Sequence, residues 1–190
     1  MTAKARASKT ARVLSTLLAS RILGNRPISL IGYSLGSQVI FEALQHLAAL
    51  PPSQTAGLIQ DVFLFGSPVP ADEAAWAAVR RVVSGRLVNG YSTNDYVLAV
   101  LARASGASWG VSGLQAVQVQ GVENIECKKV DGHLKWRGMI GKCLQECGVE
   151  GVVEEEVQLQ LREKEDAIEK AVNIGENDTD KIIERGDRVE

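Results

Sequence analysis

The chain has 190 residues, 45% of them hydrophobic and 23% charged, which is material for one modest domain with a true core. Aromatic residues make up 5%, the net charge is −2, and the arginines are scattered, so there is neither a stacking platform nor a basic stripe for nucleic acid. No apolar run approaches the ~20 residues that cross a bilayer, and no glycine cluster forms a phosphate loop after a strand. The charge is divided unevenly: residues 1–148 hold 15 basic and 9 acidic side chains, and residues 149–190 hold 6 and 14. This predicts a domain over 1–148 and an acidic tail over 149–190, with Glu154-Glu155-Glu156 and Glu163 to Glu169 on a helix-prone stretch and 175–190 disordered.

The first twenty-six residues are basic and carry no acidic side chain. They read either as a mitochondrial presequence or as an amphipathic helix on a sheet. The second reading is preferred because only a short linker, Gly24 to Pro27, separates the pattern from a strand. Its buried side would be Val13, Leu14, Leu17 and Leu18, with Arg12, Arg21 and Arg26 in solvent.

Ile28-Ser29-Leu30-Ile31 is an apolar strand that runs into Gly32-Tyr33-Ser34-Leu35-Gly36. Val39, Ile40, Ala43, Leu44, Leu47 and Leu50 then follow at helical spacing. Strand, sharp turn and helix are what hold a serine hydroxyl out at a strand tip, so Ser34 is the candidate nucleophile and the Leu35 N–H the candidate oxyanion donor. Gly32 and Gly36 are expected where passing backbones leave no room for a Cβ. The bland alternative is an ordinary turn with a buried serine.

After Pro51-Pro52, Asp61 to Phe65 reads as a buried parallel strand and Gly66-Ser67-Pro68 as its turn. Residues 72–83 form a helix with Trp76, Val79 and Val83 inward. Arg86 to Tyr91 is a third strand, Tyr96 to Arg103 a short helix, and 105–121 an irregular connection carrying Trp109. A fourth strand is expected from Glu123 to Lys128, then a loop with His133, then an amphipathic helix from Leu134 to about Cys147. The fold class is therefore α/β, with about four parallel strands flanked by helices, in which ligand sites lie beyond the carboxyl ends of the strands.

That edge selects the partners a serine needs. Of the two histidines, His46 is three turns down a helix and points away, whereas His133 follows the fourth strand and is the candidate general base and acid. Among the carboxylates, Asp61 precedes its strand, Asp72 is explained as a helix cap, and Asp131 is too close to His133 in sequence to face its ring. Asp95, directly after the third strand, is the candidate that orients the imidazole; a helix cap is its alternative explanation. The order Ser34, Asp95, His133 is that of α/β-hydrolases.

Cys127, Cys143 and Cys147, with no secretory leader, point to reduced thiols in an intracellular compartment. Cys143 and Cys147 have a spacing compatible with a metal beside His133. They share their face with Trp136, Met139, Ile140 and Leu144, so they are read as small hydrophobes, with no metal and no cofactor.

Four stretches, Arg26 to Ile40, Ile59 to Val69, Arg81 to Tyr91 and Gly132-His133-Leu134, resemble the family of transmembrane and coiled-coil domain-containing protein 4. The resemblance covers roughly residues 5–148 and implies an α/β-hydrolase similar in elbow to lipases, with Ser34, Asp95 and His133 as its triad. It implies further that members are membrane-associated, with membrane segments and the first strands of the sheet before the elbow. Against that pattern this chain is expected to be a fragment or short form. Its nucleophile strand would be an open edge available to a protein partner, and a second oxyanion donor would be lacking. Two functions follow as expectations: a serine hydrolase acting on an ester, of lipid or acyl-glycerol type, or a non-catalytic interaction protein of membrane trafficking derived from one.

Overall fold

The computed structural model describes residues 3–22, 24–104 and 110–163. By its contacts the chain divides into two compact units, Met1–Ile140 and Gly141–Glu190. The first contains a sheet of four strands, β1 (Ile28–Tyr33), β2 (Ile59–Phe65), β3 (Leu87–Tyr91) and β4 (Val122–Glu126), all parallel and in the order β1-β2-β3-β4. Parallel neighbours require crossovers, and these are supplied by α2 (Leu35–Ala48) with the short α3 (Pro52–Thr55), by α4 (Glu73–Arg80), and by α5 (Tyr96–Ala104) with the connection that follows it.

Alternation along β2 divides the sheet into two faces. Val62 and Leu64 point to a core shared with Ile40, Phe41, Leu44 and Leu47 of α2 and Trp76 and Val79 of α4. Phe41 and Trp76 meet there with ring centroids 4.8 Å apart. Phe63 and Phe65 point the other way, where Trp136, the first residue of α6 (Trp136–Glu146), lies 6.0 Å from the Phe65 ring. The four-stranded parallel sheet flanked by helices is the architecture the hydrophobic pattern predicts. Strand bounds differ slightly: β2 begins two residues before Asp61, and β4 covers Val122–Glu126 instead of Glu123 to Lys128.

The inward face of the first helix departs from expectation. α1 (Ala3–Ala19) buries Ala7, Ala11, Ser15 and Leu18, with Leu14 partly covered, while Val13 and Leu17 are exposed. It packs chiefly on α2, with Leu18 reaching the core. Small side chains at four-residue spacing let two helix backbones approach closely, and that gain outweighs burying the larger side chains on the other face. Arg21, expected in solvent, is half-buried and donates from Nη2 to the Ala56 carbonyl.

The connection expected to be irregular is, over its described part 110–121, tied to the strand ends. Ser112 N–H donates to the Val69 carbonyl, Gly113 N–H to Ser67, and Ser92 N–H to Gly113. Buried Asn89 donates from Nδ2 to the Gln115 carbonyl and to Asn124 Oδ1, and Asn124 in turn bonds both backbone groups of Val117. Two strand asparagines thus satisfy a loop that has no ladder of its own. Trp109 lies outside the described residues.

In the second unit, residues 141–146 of α6 pack against a helix over 154–163. Gly141 N–H donates to Gln160 Oε1, and a Cβ on Gly141 would touch Val157, which is buried. Cys143 and Cys147 are buried. The helix-prone stretch beyond Glu163 and the disorder expected over 175–190 fall outside the described residues.

Candidate active site

Ser34 has φ 52° and ψ −128°, a left-handed conformation that a residue with a Cβ adopts at a cost of roughly 1–3 kcal/mol. Neighbouring bonds hold it there. Its N–H donates to the Phe65 carbonyl across the sheet, and its own carbonyl accepts from Ser37 N–H, Gln38 N–H and Ser37 Oγ. Although Ser34 occupies the N-cap of α2, its side chain makes no cap hydrogen bond. The hydroxyl lies instead 2.6 Å from His133 Nε2.

The two glycines around it differ in role. A Cβ on Gly32 would sit 2.7 Å from Ile40 Cδ1 and 3.0 Å from Gly36 C and Ser37 N, so the close approach expected there is present. A Cβ on Gly36 would meet nothing within 4 Å, which corrects the expectation of crowding on both sides. Gly36 already lies inside α2, and its bare Cα faces a groove of about 460 Å³ lined by Ala3, Arg6, Ala7, Thr10, Leu35 and Val39. Absence of a side chain there widens the groove rather than relieving a clash.

His133 opens a 3-10 turn, His133–Lys135, after the strand-end loop of β4. Its Nδ1 is 2.8 Å from Asp95 Oδ2, so both ring nitrogens are engaged. Asp95 as carboxylate only accepts, which puts the ring proton on Nδ1 and leaves the Nε2 lone pair to receive the Ser34 hydroxyl. The side chain of His133 is 17% exposed and that of Asp95 fully buried.

Asp95 combines the two roles the sequence left open. Oδ1 accepts from Leu98 N–H and so caps the first turn of α5, while Oδ2 serves His133 and also accepts from Trp136 Nε1 at 3.0 Å. Burial pushes the Asp95 carboxyl up, but the bonds from His133, Leu98 N–H and Trp136, with the His133 charge, outweigh it and hold the group below the ordinary aspartate value.

Two contributors escaped the sequence reading. The helical stripe marks Trp136 only as apolar, yet a buried indole N–H needs an acceptor, and it lies three residues after His133. Ser92, directly after β3, donates from Oγ to the Val130 carbonyl and so ties the Asp95 loop to the His133 loop. The remaining candidates stand apart: His46 is exposed on α2, Asp61 accepts from Arg86 N–H, Asp72 caps α4 through Ala75 N–H at 2.8 Å, and Asp131 pairs with Lys135.

A family model described as a protein of unknown function (DUF726) matches residues 1–150. The chain is 46% identical over 129 residues to transmembrane and coiled-coil domain-containing protein STS1 of Oryza sativa subsp. japonica, which covers 67% of this chain and 19% of that protein. It is 40% identical over 158 residues to probable lipase MIL1 of Saccharomyces cerevisiae, 82% of this chain and 14% of that one. An uncharacterized membrane protein of Schizosaccharomyces pombe is 41% identical over 157 residues, 81% of this chain and 20% of its own length. The chain thus spans about a fifth or less of each of these relatives, two of which are named as membrane proteins. Among the described residues no helix is long and apolar enough to cross a membrane. No solved structure gives a significant match.

Proposed function

The chain belongs to the DUF726 family of proteins of unknown function, and from that premise we propose that it is a serine hydrolase of α/β-hydrolase type acting on a lipid ester. The observation that carries the reading is the hydrogen-bonded chain from Ser34 Oγ through both nitrogens of His133 to Asp95. In finer terms we assign it to the group of transmembrane and coiled-coil domain-containing protein 4, with residues 1–148 as the hydrolase domain and 149–190 as an acidic tail.

In the reaction, Ser34 Oγ attacks the ester carbonyl carbon while its proton passes to His133 Nε2. Negative charge develops on the carbonyl oxygen, and the N–H of Leu35, the first residue of α2, has no intrahelical acceptor and is free by position to receive it. Collapse of the tetrahedral species breaks the bond to the alkoxy oxygen, which leaves with the proton from His133. Water then attacks the acyl–Ser34 ester, again giving its proton to Nε2, and the carboxylic acid departs as Ser34 recovers its hydrogen. Asp95 stays ionised throughout and stabilises the imidazolium. The groove beside Leu35 and Gly36 is apolar along Ala3, Ala7 and Val39 and suits the acyl chain. A relative named as a probable lipase supports the lipid ester as substrate class.

Labelling of the purified chain with a fluorophosphonate probe tests this. The expected result is covalent labelling that disappears in Ser34→Ala and His133→Ala. Labelling that persists in Ser34→Ala would overturn Ser34 as the nucleophile, and a folded chain that never labels would overturn the reading in favour of a non-catalytic interaction protein.

A further inference from the structure

Of the large apolar side chains on α5, only Leu98 is buried. Tyr96 is 70% exposed, Val97 50%, Val100 62% and Leu101 57%. At 100° per residue these four fall within one arc of about 140°. Single exposed apolar residues are ordinary, but a contiguous face of them on one helix is not. The helix contains no acidic residue, and its Arg103 borders the same arc. Its first turn is fastened to Asp95 through Leu98 N–H and Ala99 N–H, and it contacts the turn His133–Lys135. There Leu134, next to His133, is 89% exposed. The apolar face therefore borders the mouth of the site.

The charges on this edge of the sheet are mainly positive. Lys128 and Lys129 follow β4, Arg137 follows the His133 turn, and these three and Arg103 are all exposed. The acidic groups there are exposed Glu126 and Asp131, the second paired with Lys135. An apolar helix face carrying a tyrosine, on a sheet edge that also bears exposed cations and the candidate site, has the chemistry of an interfacial surface for anionic lipid. We propose that the outer face of α5, with Leu134, docks on an anionic bilayer and so delivers lipid esters to Ser34 from the membrane plane. The delivery rests on the hydrolase reading; the docking does not.

The full chain carrying Ser34→Ala is floated with vesicles of phosphatidylcholine alone and of phosphatidylcholine mixed equally with phosphatidylserine. Flotation with the anionic vesicles alone, weakened by salt, is the expected result. Val100→Glu/Leu101→Glu abolishes it, and Lys128→Ala/Lys129→Ala lowers partitioning about thirtyfold. All these positions are exposed, and circular dichroism of each variant checks that the fold is kept. No flotation, or equal flotation of parent and variants, overturns the proposal. So does sedimentation in which the parent self-associates and Val100→Glu/Leu101→Glu does not, because the face then belongs to a second copy. Failure of fluorophosphonate labelling in the Ser34 chain with flotation intact would remove the hydrolase reading and leave the docking standing.

Discussion

At Asp95 three donors converge on one buried carboxylate, and each donor has a separate consequence. Trp136→Phe keeps a ring over Phe65 and removes only the indole N–H, a bond to a charged acceptor worth about 1.5–3 kcal/mol. Because that bond lowers the Asp95 value, its loss raises it, and the acid-side fall in the urea midpoint of Trp136→Phe should set in at higher pH than in the parent. Asp95→Asn retains an oxygen for Leu98 N–H but turns an NH₂ toward two other donors. It also reverses the histidine tautomer, so turnover should fall about 10⁴-fold in an ester assay, as loss of the orienting carboxylate does elsewhere. The depressed Asp95 value also bears on stability. Its contribution is fully present above the ordinary carboxylate range and is lost as pH falls through its own lowered value. Urea midpoints measured between neutral and acid pH should therefore decline for the parent and decline less for Asp95→Asn.

At the scale of elements, α2 is held from two sides by different devices. Its start depends on Gly32, where any Cβ meets Ile40 and the backbone of Gly36 and Ser37. Gly32→Ala should therefore destabilise the chain by more than 1 kcal/mol and abolish labelling. Gly36→Ala should fold as well as the parent, since its Cβ enters open space, yet should slow substrates with bulky acyl groups because it projects into the groove. Denaturation midpoints and activities across an acyl-chain series distinguish the two glycines, which the motif alone treats as equivalent. On the other side, α1 meets α2 through Ala7, Ala11 and Ser15. Ala11 is fully buried, so Ala11→Leu should overpack that seam and cost about 1–3 kcal/mol in urea unfolding.

For the molecule as a whole, the sheet of the described residues ends in β1 at one side and β4 at the other. β4 carries exposed Glu123 and Glu126, and Glu123 is paired with Arg86, which discourages further strand pairing. β1 lacks that protection. Ile31 and Tyr33 are 48% and 39% exposed on one face, and among the described residues the strand has a neighbour only on its β2 side. Ile31→Lys should lower the concentration-dependent association of the isolated chain in light scattering without lowering its melting temperature.

The apolar runs of β2 and β3, the cap at Asp72 and the helical stripe of α2 were all legible because each depends on neighbours close in sequence. The same local logic put Ser34, Asp95 and His133 each just past the end of a strand, since a parallel wound sheet leaves all such ends on one edge. What the sequence alone determined was thus which elements form and which residues lie at the carboxyl edge of the sheet. That Oγ, Nε2, Nδ1 and Oδ2 fall in hydrogen-bonding succession was decided only by tertiary structure, because residues 61 and 38 positions apart must be brought together by sheet register. The same holds for Trp136 as a donor to Asp95, for the small-residue side of α1 as its inward face, and for Gly36 as the wall of a groove. In each case the deciding quantity is the distance between surfaces of two elements, and no periodicity within either element encodes it.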